Sequence, residues 1–268
     1  MMGYKTASGE VLDFTRVALL GDISSWAWNV GDNLSFTYPA NDKRTVKLRF
    51  RSMADCDYAI ARMDNDTRDN AQGQLLMGDW SLKCNLSSGS FVGRNGVVIY
   101  DAVFTCYGNR WCRSSTIEFL PGGAQGTTGL DYPHDYPFDF MPPVSGIKTI
   151  TVDSYGPCDF MMVVYGPCEN PSVNIGGNIH KVNVTVPSGA LLFIDSTEKR
   201  QPGAEIFMRA SDGTITNCFS SAERGMPGSG TYIFEQIQPG EQVVTWSGLF
   251  GFDLEIIENR TKAPDDRY

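Results

Sequence analysis

The chain has 268 residues, enough for one large β domain or two ordinary ones. A hydrophobic fraction of 41% with frequent aromatics supports real buried cores and excludes wholesale disorder. The formal net charge of -9 excludes wrapping of nucleic acid, which needs dense Lys and Arg against phosphates.

No run of about twenty apolar residues occurs, so no membrane insertion is expected. Met1 to Glu10 lacks a charged start followed by an apolar stretch, so the chain is expected to bypass secretion. The Asn-x-Ser/Thr sequons at Asn33, Asn65, Asn85, Asn183 and Asn259 are then accidental. The seven cysteines include no Cys-x-x-Cys pair. Cys106 and Cys112, like Cys158 and Cys168, are too widely spaced for a zinc knuckle, and reduced cysteines acting as small apolar residues are expected.

In chain order, Thr45 to Arg51 alternates, with Val46, Leu48 and Phe50 on one side and Lys47, Arg49 and Arg51 on the other. That predicts a half-buried strand with a basic outer face. A helix follows over about 53–66. Ser52 caps it, Asp55 and Asp57 suit its first turn, and Met53, Cys56, Ile60 and Met63 form its apolar stripe. Gln74 to Leu86 reads as a strand, Gly89 to Gly96 as a loop, and Val97 to Cys106 and Ser115 to Leu120 as further strands. Pro121 to Gly146 is rich in Pro and Gly and reads as an extended connector between domains.

The rest reads as strands alone: Thr149 to Asp153, Phe160 to Tyr165, Lys181 to Val186, Leu191 to Ile194, Glu205 to Arg209, Ile215 to Phe219, Tyr232 to Ile237, Gln242 to Trp246 and Phe252 to Ile256. A two-residue hairpin turn is expected at Asp212-Gly213. The fold class is therefore mainly β. Residues 1–120 form an N-terminal β-sandwich or barrel-like domain with one helix, 121–146 the connector, and 147–268 a C-terminal jelly-roll β-sandwich.

Chemistry is sparse. His134 lies in the connector, and His180 falls in phase with inward valines. There is no nucleophile elbow, no His-x-x-x-His and no phosphate loop. Glu205, Glu235, Asp253 and Glu255 occupy outward strand phases, which makes a hydrolase the least favoured reading. Asp64-Asn-Asp66 lacks the glycine and the closing glutamate of a calcium loop. No catalytic residue, metal or cofactor is expected. The basic cluster Lys43, Arg44, Lys47, Arg49 and Arg51 is a candidate ion-pair surface between subunits. The rings Tyr132, Tyr136, Phe138 and Phe140, on a proline-stiffened segment, are candidate interface anchors. Trp246 is a candidate glycan platform, the basis of an alternative reading as a carbohydrate-binding adhesion module.

Several strings in fixed order resemble the siphophage distal tail protein family. They are Tyr-Pro-His-Asp-Tyr-Pro-Phe-Asp-Phe (132–140), Asp159-Phe160 leading to Val164-Tyr-Gly-Pro-Cys-Glu-Asn-Pro171, Leu192-Phe-Ile-Asp-Ser-Thr197, Tyr232 to Gly240, and Gly251-Phe-Asp-Leu254. Glu258 to Pro264 is similar to that family's closing motif but lacks its final Trp, and the likeness is looser in the first half. The resemblance implies a structural tail-tip protein of the virion, assembled in the host cytoplasm. Its N-terminal domain would close into a homo-hexameric ring between the tail tube protein and the tail-tip hub protein. DNA would pass through the lumen without specific binding, and the C-terminal jelly roll would be galectin-like.

Overall fold

The computed structural model of the chain describes residues 2–14, 18–19, 29–30, 36–37, 41–94, 98–107, 110–122, 146–197 and 205–261. The protein is mainly β, with large antiparallel sheets and, among the described residues, one α-helix. It divides into two compact units, Met1–Arg113 with Asn259–Tyr268, and Ser114–Glu258. The sequence suggests a single divide at 121–146. One strand near each end of the second unit runs on into the first, and period-two alternation carries no mark of such a crossing.

The first unit contains β1 (Met2–Lys5), β2 (Val11–Asp13), β3 (Ala18–Leu19), β4 (Asn29–Val30), β5 (Phe36–Thr37), β6 (Asn41–Phe50), α1 (Met53–Arg68), β7 (Gly73–Met77), β8 (Trp80–Arg94), β9 (Val98–Tyr107) and the start of β10 (Trp111–Phe119). Its main sheet is antiparallel in the order β2-β1-β7-β8-β9-β6-β3. Alternation drives β6 and β9 together. Val46, Leu48 and Phe50 are buried on one, Val98, Tyr100, Ala102, Phe104 and Cys106 on the other, and ten residue pairs hold the register.

The helix forms where the spacing places it. The Ser52 hydroxyl accepts from Asp55 N–H at 3.1 Å, a cap that contributes about 1 kcal/mol. Cys56, Ala59, Met63 and Asp66 face inward, with Met53 and Ile60 packed alongside.

Two expectations fail here. Gln74 to Leu86 is a hairpin, since Met77 pairs with Trp80 across Gly78-Asp79 and Gly78 takes the left-handed φ of 59° that such a tight turn needs. Gly89 to Arg94 is strand, because the apolar run of β9 imposes pairing on a weak strand former and bulges at Leu86/Ser88 and Phe91/Gly93 absorb the mismatch.

The second unit holds the rest of β10 with β11 (Gly146–Val152), β12 (Asp159–Tyr165), β13 (Cys168–Glu169), β14 (Ser172–Ile175), β15 (Asn178–Lys181), β16 (Thr185–Val186), β17 (Leu191–Asp195), β18 (Ile206–Arg209), β19 (Ile215–Asn217), β20 (Gly240–Trp246) and most of β21 (Phe252–Arg260). One antiparallel sheet runs β19-β18-β17-β12-β21, and a second runs β11-β20-β14-β15. Phe160, Met162, Leu192, Ile194 and Leu254 from the first sheet meet Ile150, Val152, Val173, Ile175 and Val244 from the second in one buried cluster, which is a β-sandwich.

Three local expectations change. Lys181 to Val186 is not one strand: β15 stops at Lys181 and pairing resumes at Thr185. The Val184 N–H bonds back to Val182 O at 3.0 Å, a local turn that satisfies backbone groups without a ladder. Tyr232 to Ile237 is a turn closed by Glu235 N–H on Tyr232 O at 3.1 Å, with the isolated bridges Arg224–Tyr232 and Cys158–Ile237 in place of a ladder. The Asp212-Gly213 connection is longer than two residues, because Ala210 N–H bonds Thr214 O at 2.9 Å and the Asp212 carboxylate accepts from Thr214 N–H.

Candidate interaction and ligand-binding sites

Strand parity sorts the basic cluster. Lys43, Lys47 and Arg49 are exposed on the outer face of β6, and Arg51 is exposed just past its end. Arg44 is not among them. It has the same parity as Val46, Leu48 and Phe50 and is fully buried, which removes it from any surface stripe. Its guanidinium lies over the Trp111 ring at 5.9 Å, its Nε is 3.6 Å from Asp42 Oδ2, and burial pulls its pKa down from the usual guanidinium value. A buried guanidinium held by a ring and a carboxylate serves the fold of this unit. Lys47 stands opposite Asp101 across the ladder, so the outer face is not uniformly basic. Tyr132, Tyr136, Phe138, Phe140 and His134 lie outside the described residues.

Trp246 is built into the sandwich edge. Its ring makes edge contacts with Phe119 and Phe252 at centroid distances of 5.4 and 5.5 Å, and its Nε1–H donates to Phe250 O at 3.1 Å. Any side chain at Gly146 would strike the Trp246 ring, so the backbone lies directly against it. The ring is half-buried and packs against the core of the sandwich. Trp246→Ala is expected to lower stability by about 2 kcal/mol, read as a shift of the urea midpoint.

The inward phase of His180 is real, at 2% exposure. Its Nδ1–H donates to Ile233 O at 2.8 Å, and Nε2 accepts from Asn178 Nδ2 at 3.2 Å, so the tautomer is fixed and neither nitrogen is free to act as a base. Burial pushes its pKa below the ordinary 6.5, outweighing the opposing pulls of the Ile233 carbonyl and the Glu235 charge. The unfolded chain therefore binds this proton more tightly than the folded one. Stability is fully present above pH 6.5 and falls as pH drops below it. Thermal melts between pH 7 and pH 5 are expected to show that fall, and His180→Gln to flatten it.

Asp64-Asn-Asp66 sits inside α1, where Asp64 pairs with Arg68 at 2.7 Å. Asp66 Oδ2 accepts from Tyr4 Oη at 2.9 Å and Ala7 N–H at 3.1 Å. Among the described residues no cluster of three or more His, Cys, Asp or Glu side chains gathers to hold a metal. The four outward carboxylates are half-buried: Asp253 bonds Tyr165 Oη, Glu235 Oε2 accepts from Gly228 N–H at 2.8 Å, and Glu205 and Glu235 line one recess with Asp195.

A recess of about 260 Å³ opens in the second unit between the β14–β15 turn at Gly176-Gly177 and the 228–238 segment. Asn178, His180, Glu235, Gln236, Gln238 and Gln242 face it. These side chains come from three separate stretches of chain, so no local motif announced them.

No family model matches the chain, and no curated protein matches it. Among solved structures it is similar to the Dit protein of SPP1, described as a paradigm of the hub adsorption apparatus in phages infecting Gram-positive bacteria. The TM-score is 0.53 at 9% identity, over 97% of this chain and 99% of that one. It is also similar to a chain of the phage P2 baseplate in its activated conformation with Ca, at TM-score 0.51 and 11% identity over 98% and 100%. With Sr the same baseplate gives 0.52 at 12% over 98% and 100%. At such identities the likeness is one of fold, and it runs the full length of both chains.

Proposed function

We propose that this protein is a structural component of a phage tail tip, without catalytic activity, that assembles with copies of itself into a ring joining the tail tube protein to the tail-tip hub protein. The observation that carries this reading is the end-to-end fold likeness to SPP1 Dit and to the phage P2 baseplate chain, covering both units. A ring needs a heterologous contact, two different patches that close after a fixed number of copies. The stripe Lys43, Lys47, Arg49 and Arg51 on a chain of net charge -9 supplies one patch with abundant acidic counterparts, fixing orientation more than affinity. The family resemblance sets the expected count at six, with DNA passing through the lumen unbound and a galectin-like second unit. Tyr132, Tyr136, Phe138 and Phe140 are proposed as further anchors on a neighbouring copy.

Light scattering of the purified chain across a concentration series, alone and mixed with the tail tube protein, tests this. A closed oligomer is expected, and a monomer under both conditions overturns the reading. The double charge reversal Lys43→Glu with Arg49→Glu, whose cross-strand neighbours Thr105 and Ile99 are uncharged, is expected to weaken assembly at least about ten-fold while moving folding stability by no more than about 0.5 kcal/mol. Assembly unchanged by the reversal would take the stripe out of the interface.

A further inference from the structure

Cys84 on β8 and Cys106 on β9 stand directly opposite each other in the ladder. Both are fully buried on the core side of the first unit's sheet, and both are free thiols. Directly opposed residues on antiparallel strands have Cα atoms about 4.5–5.5 Å apart, inside the range of about 4.4–6.8 Å that disulfides span. The two thiols are already in hydrogen-bond contact, so closing a bond between them asks for side-chain rotation and no change of register. No other cysteine on these ladders faces a second one: Cys112 pairs with Ser81, Cys158 with Ile237 and Cys168 with Val186.

The surroundings give the two sulfurs different parts to play. Across β6, β9, β8 and β7 the row reads Asp42, Cys106, Cys84 and Gly73. The buried Arg44 guanidinium is in hydrogen-bond contact with the Cys106 thiol. A cation beside a sulfur favours the thiolate, which is the form that attacks an oxidant. Burial and the neighbouring Cys106 thiol push the Cys84 pKa well above its ordinary value, while the Arg44 charge pulls the other way. Cys106 is thus placed to attack and Cys84 to resolve. Burial restricts the oxidant to a molecule close to water in size, and hydrogen peroxide meets that condition.

We propose that Cys84 and Cys106 are a peroxide-sensitive thiol pair that closes into a disulfide between β8 and β9. The Cys106 sulfur attacks one peroxide oxygen and the O–O bond breaks. The departing hydroxide takes the Cys106 proton and leaves as water, and the sulfur is left as a sulfenic acid. The Cys84 sulfur then attacks the Cys106 sulfur and the S–O bond breaks. The hydroxyl leaves with the Cys84 proton as a second water. Two thiols are oxidised and one peroxide is reduced. The bond ties together two central strands of the first unit, a latch set when the chain meets an oxidant. It uses neither the basic stripe nor a second copy, so it does not rest on the ring reading.

Peptide mass mapping tests this on the folded full chain, treated with limiting hydrogen peroxide, quenched with catalase and alkylated in urea. The expected product is a cross-linked Cys84–Cys106 peptide pair, lighter than the two reduced peptides by two hydrogens. Alkylatable thiols then fall from seven to five. The pair is expected to react at least about ten-fold faster than buried Cys56 and Cys218, which lie outside the ladders. Cys84→Ser is expected to abolish the cross-link and carry Cys106 on to the sulfinic acid, since no thiol is left to resolve it. Should that variant not fold, the map of the unaltered chain still decides. Cys84 and Cys106 both alkylated at a dose that oxidises the half-buried Cys112 overturn the proposal. So does a cross-link that forms only when peroxide is added in urea. Oligomeric state is read separately by light scattering, so failure of the thiol pair leaves the ring reading untouched, and the reverse.

Discussion

Phe252→Ala is expected to lower the stability of the second unit by about 3–5 kcal/mol. Phe252 is fully buried at the start of β21 and stacks parallel on Phe119, with ring centroids 4.4 Å apart and planes within 4°. It also meets the edge of Trp246 and lies 6.1 Å from Phe250. Truncation removes the transfer energy of a whole ring and leaves a hole that two β-strands cannot close without shifting register. Phe252→Leu keeps most of the volume and is expected to cost under about 1.5 kcal/mol. Urea unfolding followed by tryptophan fluorescence measures both. A loss below about 1 kcal/mol for the alanine variant would mean that the aromatic cluster is not the packed centre described above.

The second large effect lies in the first unit. Asp66→Ala is expected to cost about 3 kcal/mol, because it breaks two hydrogen bonds to one carboxylate and strands a buried phenol. Tyr4 is fully buried on β1, and burial together with the Asp66 charge holds its hydroxyl far above its ordinary pKa, so it stays a donor. The same carboxylate takes the Ala7 N–H, tying the turn after β1 to the last turn of α1 across 59 and 62 residues of chain. Tyr4→Phe added to Asp66→Ala removes the stranded hydroxyl and is expected to recover about 1 kcal/mol, a non-additivity that a double-mutant cycle reads directly. Gly73 belongs to the same knot. A Cβ there would collide with the Tyr4 hydroxyl, which is why this strand begins with glycine.

What the sequence made legible was whatever repeats with a short period. The Ser52 cap, the α1 stripe and the inward sides of β6, β9 and β21 all follow from spacing, because burial on one face imposes it. Arg44 was legible in the same way. Its parity with Val46, Leu48 and Phe50 places it inside, and grouping it with its basic neighbours by charge alone hid that. Features set by partners distant in sequence were not readable. Gly89 to Arg94 has the composition of a loop and is strand because β9 supplies its partners. Val182 to Val184 alternates like a strand and leaves the ladder because the chain turns locally there. The recess could not be foreseen, since it closes only once the 228–238 segment has been brought against the β14–β15 turn, with Tyr232 O reaching Asn178 across 54 residues of chain.

The return of the chain from Asn259 to the first unit decides how this protein can be cut. The Cys112 thiol donates to Asn259 Oδ1 at 3.1 Å, and the Arg260 guanidinium covers the Trp80 ring at 4.5 Å, so the last strand completes a wall that the first 113 residues begin. A fragment stopped anywhere before residue 259 loses the Cys112–Asn259 bond and keeps only one of the two guanidinium groups over Trp80, that of Arg113 at 5.1 Å. Deleting the middle and splicing Arg113 to Asn259 through a short flexible bridge keeps both. In chain order the sandwich is an insertion, its residues 114–258 lying between the two stretches that make up the first unit.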